Sequence, residues 1–530
     1  MIAVREGQRR RRIERDVATG ILVSLFGLCG CTVGPDYERP DARVPVAYKE
    51  AWKPGPTATG WRETRPADGT DRGAWWSIYR DPVLDGLERQ IDISNQNLKA
   101  AEAAFREAEA TVAAARAQFF PTAKLAGSAT RTRSSGNSAP TAGFGGGISD
   151  QFLAETTASW VPDLWGSVRR TVESDVASAQ ASAATLANAR LSAQGTLATA
   201  YLELRTADEL AQLLDASVKA YTQALQITRN QYRSGTTDAS AVAQAQAQLD
   251  ATRSQLIAVG VTRGQLEHSI AVLIGKPPAE LTITPTQATI AVPLVPFEVP
   301  SALLERRPDI AAAERDMQAA NALIGVDVAA FYPTVTLSGD TGVEAAMLRK
   351  LFTVASRIWS FGSSAAETIF DGGARNAQVS HDQAAYEASV ATYRQTVLSA
   401  FQQVEDELVA ERVLAEQAIA EDSAVKAARA AERIINNQYL AGTQAYTAVI
   451  VAENTALADA ETALNIRQSR LVASAALIEA LGGSWDTSQL PNQEKIESDV
   501  PLNFNPLPPT FPDSSQPGEK HSFLEKLWPF

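Results

Sequence analysis

"FFPTAKLAGS" at residues 119–128 and "FYPTVTLSGD" at residues 331–340 are one phrase written twice. In each copy an aromatic pair and a proline close one segment, and a short alternating run opens the next. Proline breaks a helix interior, and alternating polarity suits a strand. Two more echoes follow. "QYRSGTTDA" (231–239) answers "QYLAGTQAY" (438–446), and "AVLIGKP" (271–277) answers "IEALGGS" (478–484). Pro121 and Pro333 lie 212 residues apart, whereas Gly235 and Gly442 lie 207 apart, as do Gly275 and Gly482. The change in offset places an insertion between the proline and the next long helix. A period of about 200 residues far exceeds a solenoid unit, so the chain reads as two structural repeats, 87–299 and 300–485.

Each repeat predicts the same series of elements. A helix runs to the Phe/Tyr-Pro, about 87–118 and 302–330. A strand follows, about 122–131 and 334–341, then a loop and a second strand, about 151–161 and 358–370. "PDLWGSVRR" (162–170) or "FDGGARNAQ" (370–378) turns the chain into the longest helix, about 172–232 or 376–439. A Gly-Thr turn reverses it, and a shorter helix returns over about 238–274 or 445–481. Pro121, Trp165, Gly166, Pro333 and Gly372 mark the strand–helix junctions.

The helices carry heptads. Leu197, Leu204, Ala211, Val218, Leu225 and Tyr232 recur every seven residues, shadowed by Ala200, Ala207, Leu214, Tyr221 and Thr228. Further seams run through Leu249 and Leu256, through Val390, Val397 and Val404, and through Ile450, Leu457, Leu464, Leu471 and Ile478. Residues 172–232 hold no proline, which allows a helix of roughly 90 Å at 1.5 Å per residue. In the second strand Phe152, Ala154, Thr156, Ala158 and Trp160 alternate with Leu153, Glu155, Thr157, Ser159 and Val161. These segments approach the 9–11 residues of a membrane-spanning strand. Trp160, Trp165 and Phe370 lie where an aromatic girdle would. Four strands cannot close a barrel, so in lipid other chains must complete it; three chains would supply 12 strands. The other reading is a small soluble sheet.

The leader differs from the rest. Arg5, Arg9, Arg10, Arg11, Arg12 and Arg15 precede a short apolar run, Val17 to Leu28. That pattern reads as a secretory signal, too short to span a bilayer comfortably. Leu28-Cys29-Gly30-Cys31 resembles the lipobox of bacterial lipoproteins, so residues 1–30 are expected to leave and Cys31 to carry lipid. Thr32 follows, not the Asp that commonly retains such proteins at the inner membrane, which points to the outer membrane. Residues 31–86 are expected as an extended lipidated segment. The formal charge of -13 disfavours nucleic acid. Later residues contain no apolar run long enough for a transmembrane helix. His268, His381 and His521 are scattered, and no nucleophile, HExxH or phosphate-loop motif occurs, so neither an enzyme nor a metal site is expected. Residues 486–530 are rich in Pro, Ser and Asn and read as linker or disorder; the closing "HSFLEKLWPF" (521–530) is an apolar patch that either folds back onto the helices, binds a partner or frays.

With these elements in order, the chain resembles the TolC-like outer-membrane factors, in particular the lipoprotein branch called the NodT family. The resemblance rests on Cys31-Thr32-Val33-Gly34-Pro35-Asp36-Tyr37, Phe120-Pro121, Asp163-Leu164-Trp165-Gly166, Tyr232 with Gly235-Thr236, Arg306-Arg307-Pro308-Asp309-Ile310, Tyr332-Pro333, Gly442-Thr443 and Leu481-Gly482-Gly483. It implies a mainly α fold with a small transmembrane β part. A homotrimer would form a 12-stranded β-barrel continued by a periplasmic α-helical barrel. Gly235, Thr236, Gly442 and Thr443 would be tips that dock a periplasmic membrane-fusion adaptor. An inner-membrane pump of the resistance-nodulation-division type would supply energy for passive export of drugs or other small toxic compounds, with no cofactor beyond lipid on Cys31. Type I protein secretion, metal-ion efflux or a purely structural coiled-coil envelope lipoprotein are the alternatives.

One departure concerns the closed end. Many relatives carry an acidic residue after the second Gly-Thr, where this chain has Val451. The expected constriction residues are therefore Val451, Glu453 and Asp238. An apolar ring can gate by dewetting; alternatively Glu453 takes the charge role, or Val451 packs into the helix seam.

Overall fold

The computed structural model describes residues 32–50, 74–133, 135, 148–286, 288–293 and 303–502. The first repeat contains α1 (Pro82–Ser94), α2 (Gln96–Ala117), β1 (Thr122–Arg133), β2 (Ile148–Trp160), α3 (Ser167–Arg233) and α4 (Ala239–Leu273). The second contains α5 (Pro308–Ala329), β3 (Thr334–Ala345), β4 (Arg357–Ala366), α6 (Ala374–Leu440) and α7 (Tyr446–Ala480), and a short α8 (Gln493–Asp499) follows. The duplication extends to element length. α3 and α6 both have 67 residues, α4 and α7 both 35, α2 and α5 both 22, and β1 and β3 both 12. At 1.5 Å per residue the longest helices reach ~100 Å.

The four strands form one antiparallel sheet in the order β1-β2-β3-β4. The β2–β3 ladder joins the two repeats, from Phe152↔Ala345 to Trp160↔Leu337. Strands and helices then segregate. α3 packs on α4 along its far half, where Tyr221 and Leu225 meet Ala241, Ala245 and Leu249. Near the sheet it packs on α2 and α5: Val172 and Val176 meet Val112 and Ala115, and the Ser174 hydroxyl donates to Ala319 O at 3.1 Å. Midway, Trp75, Trp76 and Tyr79 wedge among Leu197, Tyr201, Ile274 and Leu471. The heptad positions Leu197, Leu204, Leu214, Tyr221, Leu225 and Thr228 are buried, while Tyr232, at the reversal, is exposed.

Several boundaries differ from expectation. α3 and α6 begin ahead of 172 and 376 because Gly166 (φ 87°) and Gly373 (φ 94°) supply the left-handed residue just before them. β4 stops at Ala366, short of 370, since its partner β3 begins at Thr334 after Pro333, which has no N–H to donate. The helix expected from 87 starts at Pro82, capped by Asp81, whose Oδ1 accepts from Val83 N at 2.8 Å. It then breaks at Asn95, which caps α2 through Leu98 N at 3.0 Å. Residues 75–79 are a turn of 3-10 helix and so not extended.

The linker reading fails for residues 486–502. Asp486 caps a turn at Thr487–Gln489, and α8 follows. Ile496 is fully buried against Val112, Ala115, Val172 and Val176. Glu497 pairs with Arg116 at 3.3 Å. Residues 503–530, including "HSFLEKLWPF", lie outside the described residues. Ile496→Ala should cost about 2–4 kcal/mol of stability. A lowered thermal midpoint, with earlier proteolytic cleavage near residue 490, would register it; Ile496→Val should lose roughly a third as much.

Candidate functional site

The sheet has two unlike faces, and its registers specify both. Leu125, Ala129, Phe152, Trp160, Val335, Leu337, Val343, Trp359 and Phe361 share one face. On it Trp359 and Phe361 lie 5.8 Å apart, 71% and 80% exposed. Phe361 covers Gly339, where a Cβ would come within 2.9 Å of the ring. The other face carries Lys124, Thr130, Gln151, Glu155, Thr157, Asp340, Glu344 and Ser360. Gln151 donates to Glu344 at 2.8 Å, and Ser360 donates to Asp340. An apolar face with aromatics and a polar face with carboxylates suit lipid on one side and water on the other. β1 and β4 each have a free edge among the described residues.

The strand–helix junctions are tightly bonded. Trp160 Nε1 donates to Phe119 O at 3.0 Å, one residue from Phe120-Pro121. Trp165 Nε1 donates to Pro333 O at 2.8 Å, and its ring stacks on Tyr332 at 4.8 Å, so the first junction is fastened to the second. Asp163 accepts from Val168 N and Arg169 N at the start of α3. Asp371 does the same for α6, accepting from the Arg375 guanidinium and from Gly373 N; Arg375 first, then Gly373 N, hold its carboxyl down to about 2. The partner of Gly166 in the second repeat is Gly373. Gly372, also left-handed at φ 67°, lies one residue earlier. Phe370 is exposed, as a girdle residue would be.

Residues 32–50 descend from these junctions along the helices. Val33 N donates to Trp165 O at 3.1 Å, and Thr32 lies so close to Gly166 that a Cβ there would be 2.7 Å from it. Gly34 meets Gly325 of α5, where a Cβ would come to 2.4 Å from Cα. Arg170, its side chain only 5% exposed, donates to Val33 O and, at 2.8 Å, to Asp36 Oδ1. Arg39 donates to the Tyr393 hydroxyl at 3.0 Å, and Glu405 accepts from Lys49 N and Glu50 N. Cys31 lies outside the described residues, but its neighbour Thr32 is pinned at the base of β2. Sequence reasoning missed Arg170 and Gly325. An isolated glycine inside the α5 pattern was the available signal.

The two reversals sit at the opposite end. Gly235 and Gly442 both have φ 75°, with open space where a Cβ would be. Thr236 N donates to Gln231 O and Gly235 N to Tyr232 O; Thr443 and Gly442 repeat this with Gln438 and Tyr439. This is the Schellman closure of a helix. The threonine hydroxyls also bond back to Gln231 O and Gln438 O, so they finish α3 and α6 and do not cap the returning helices. Asp238 caps α4 instead, accepting from Ala241 N at 2.9 Å. Between the two tips lies a groove of about 600 Å³, lined by residues that include Thr236, Asp238, Tyr439 and Tyr446.

Val451 is 66% exposed in the single chain, which removes the seam-packing option within the protomer. Glu453 turns inward. Its Oε2 is buried with no hydrogen-bond partner among the described residues. Burial, then the neighbouring Glu432, pushes its carboxyl up to about 7. Gln248 donates to Asn454 at 2.6 Å beside Glu453, Tyr439 donates to Gln231 next to the reversals, and Arg467 pairs with Glu209 about four turns farther along α7, so three links tie one coil to the other. Among the described residues, no group of three or more His, Cys, Asp and Glu could hold a metal ion.

Comparison with known proteins gives one consistent answer. The family model for outer membrane efflux protein matches residues 88–276 and 299–483. The probable efflux pump outer membrane protein TtgC of Pseudomonas putida is 29% identical over 484 residues, covering 90% of this chain and 98% of that one. The pyoverdine export outer membrane protein OpmQ of Pseudomonas aeruginosa is 28% identical over 469 residues, covering 88% and 96%. Among solved structures the outer-membrane channel OprN superposes with a TM-score of 0.78 at 28% identity, covering 86% of this chain and 99% of that one.

The inward Glu453 makes a pH-dependent prediction. Its carboxyl ionises at the ordinary 4.5 when unfolded and near 7 when folded. The cost to stability is therefore absent below about pH 4.5, grows through the interval and is complete above pH 7. Glu453→Gln should stabilise by on the order of 1–3 kcal/mol at pH 8.5 and by almost nothing at pH 4.5. Thermal midpoints at the two pH values would test it, and a pH-independent difference would refute the assignment.

Proposed function

The chain belongs to the outer membrane efflux protein family, and from that premise we propose that three copies close their sheets into a single barrel and act as the exit duct of a tripartite pump. The observation that carries the reading is the sheet itself. It has one apolar and one polar face, with edges at β1 and β4 left to pair. In hydrocarbon such edges must be satisfied by other strands, and pairing β4 of one copy with β1 of the next does so for all three. The polar faces then line a water-filled lumen, and the ~100 Å helices continue it into the periplasm.

Two attachments complete the proposal. Acyl chains on Cys31 would enter the inner leaflet, since Thr32 is held at the sheet's base, where the helices begin. One acyl group anchors weakly, and the barrel supplies the rest. At the far end the Gly235-Thr236 and Gly442-Thr443 turns, with the groove between them, offer the docking surface for an adaptor. Energy would come from an inner-membrane pump of the resistance-nodulation-division type, and small toxic compounds would be the cargo. Similar chains bear names for efflux and for pyoverdine export, which supports a duct whose cargo is chosen by its pump.

Discrete single-channel conductance of the purified protein in planar bilayers is the expected result. Continued silence after charge substitutions at residues 443–453 would favour an envelope spacer. Cys31→Ala should yield an unacylated, mislocalised chain, read by metabolic lipid labelling and membrane fractionation. Gly442→Val should strain a left-handed residue by about 1–2 kcal/mol. Weaker adaptor crosslinking and at least fourfold lower drug resistance should follow; unchanged values would exclude a docking role for that tip.

A further inference from the structure

The apolar face of the sheet changes character at the end farthest from the helices. Arg131 and Arg133 at the top of β1 and Arg357 at the top of β4 share a face with Leu125, Trp359 and Phe361. Arg131 has a loose partner in Asp150 at 3.4 Å, with its side chain 72% exposed. Arg133 and Arg357 make no ion pair among the described residues. Residues 131–150 and 346–357 hold five cations, Arg131, Arg133, Arg349, Lys350 and Arg357, against the single carboxylate of Asp150 and that of no other residue. This lies within a chain of net charge -13, so the excess is local.

Cations on the lipid face of a strand are tolerated only at headgroup depth. The helices leave from the other end of the sheet, so this rim lies in the outer leaflet. β1 rises toward it and β4 descends from it. Barrel closure, the reading on which this inference rests, sets the top of one chain's β4 beside the top of the next chain's β1. Arg357 then stands at the same seam as Arg131 and Arg133. Residues two apart on a strand are ~7 Å apart and neighbouring strands ~5 Å, so three guanidinium groups share a patch about as wide as a small headgroup. Directly below lie Trp359 and Phe361, at acyl-chain depth.

We propose that each seam binds a phosphorylated glycolipid of the outer leaflet. Arg133 and Arg357 grip its phosphates, and Trp359 and Phe361 pack against its acyl chains. Guanidinium groups bind phosphate through paired, charge-assisted hydrogen bonds that an ammonium cannot reproduce. A headgroup bearing more than one phosphate engages cations from both strands at once; a phospholipid with a single phosphodiester does not.

The test uses the full-length protein in detergent, equilibrated with lipopolysaccharide, its enzymatically dephosphorylated form and phosphatidylglycerol. Bound lipid per chain is counted by mass spectrometry. The wild type should retain the phosphorylated glycolipid at least fivefold over either competitor. Arg133→Gln with Arg357→Gln should abolish the preference, Arg133→Lys with Arg357→Lys should reduce it, and Lys124→Gln, on the opposite face, should leave it intact. Equal retention by the wild type of phosphorylated and dephosphorylated forms would overturn the proposal without any variant. Equal retention of phosphatidylglycerol would overturn the choice of glycolipid. A trimer-sized band in SDS without heating separates the two levels: if it is present with no lipid preference, the rim proposal alone fails. If the wild type gives no such band, the barrel reading fails and the rim proposal falls with it.

Discussion

A strand edge inside hydrocarbon has no water to bond, and that single constraint organises the molecule. The four-stranded sheet is complete on its faces and incomplete on its flanks. Its inner ladder, β2 with β3, is made across the two repeats, so neither repeat could present a usable sheet alone. Trp165 reinforces the same union by donating to Pro333 from the other half. What remains open is one edge from each repeat, and a cyclic arrangement of identical chains consumes both without remainder.

The repeats also solve a second problem in parallel. The helix closures at Gly275 and Gly482 seat on the residues just before α2 and α5: a Cβ at Gly275 would strike Ser94 O at 2.0 Å, and one at Gly482 would strike Arg306 O at 2.1 Å. Asn95 donates to Leu273 O at 2.7 Å, and Arg307, its counterpart, donates to Ala480 O at 2.9 Å. The side chains differ while the carbonyl they satisfy is equivalent. Each closure exposes helix-end carbonyls that need donors, and either an amide or a guanidinium meets that need.

What could be read from the sequence follows from this distinction between local and distant causes. The prolines at 121 and 333, the reversal glycines and the heptads act on their own segment, so the order of strands and helices was legible, while several of their boundaries were not. Asn95 interrupts a helix because a cap competes with continuation, and its bond to Leu273 tips that balance from 178 residues away. Thr236 and Thr443 could have capped the next helix as easily as finish the last. The burial of Glu453 Oε2 was hidden, because it depends on neighbours such as Tyr221 and Glu432 that lie on other helices. α8 lies in a proline-rich stretch whose composition conceals one buried isoleucine. Arg170 is beyond sequence reasoning, because a buried arginine is justified only by the carbonyls and the two carboxylates, Asp36 and Glu173, that surround it.

The unbroken α3 has a mechanical consequence. The wedge of Trp75, Trp76 and Tyr79 grips it near Leu197, well above the reversal at its end. From Leu197 to Arg233 the helix extends ~54 Å, so a tilt of ~5° about that grip would carry the tip through ~5 Å. The wedge is thus placed as a fulcrum would be, with the lower helix as the longer arm, so the geometry of the far tip is sensitive to small differences in packing at mid-height.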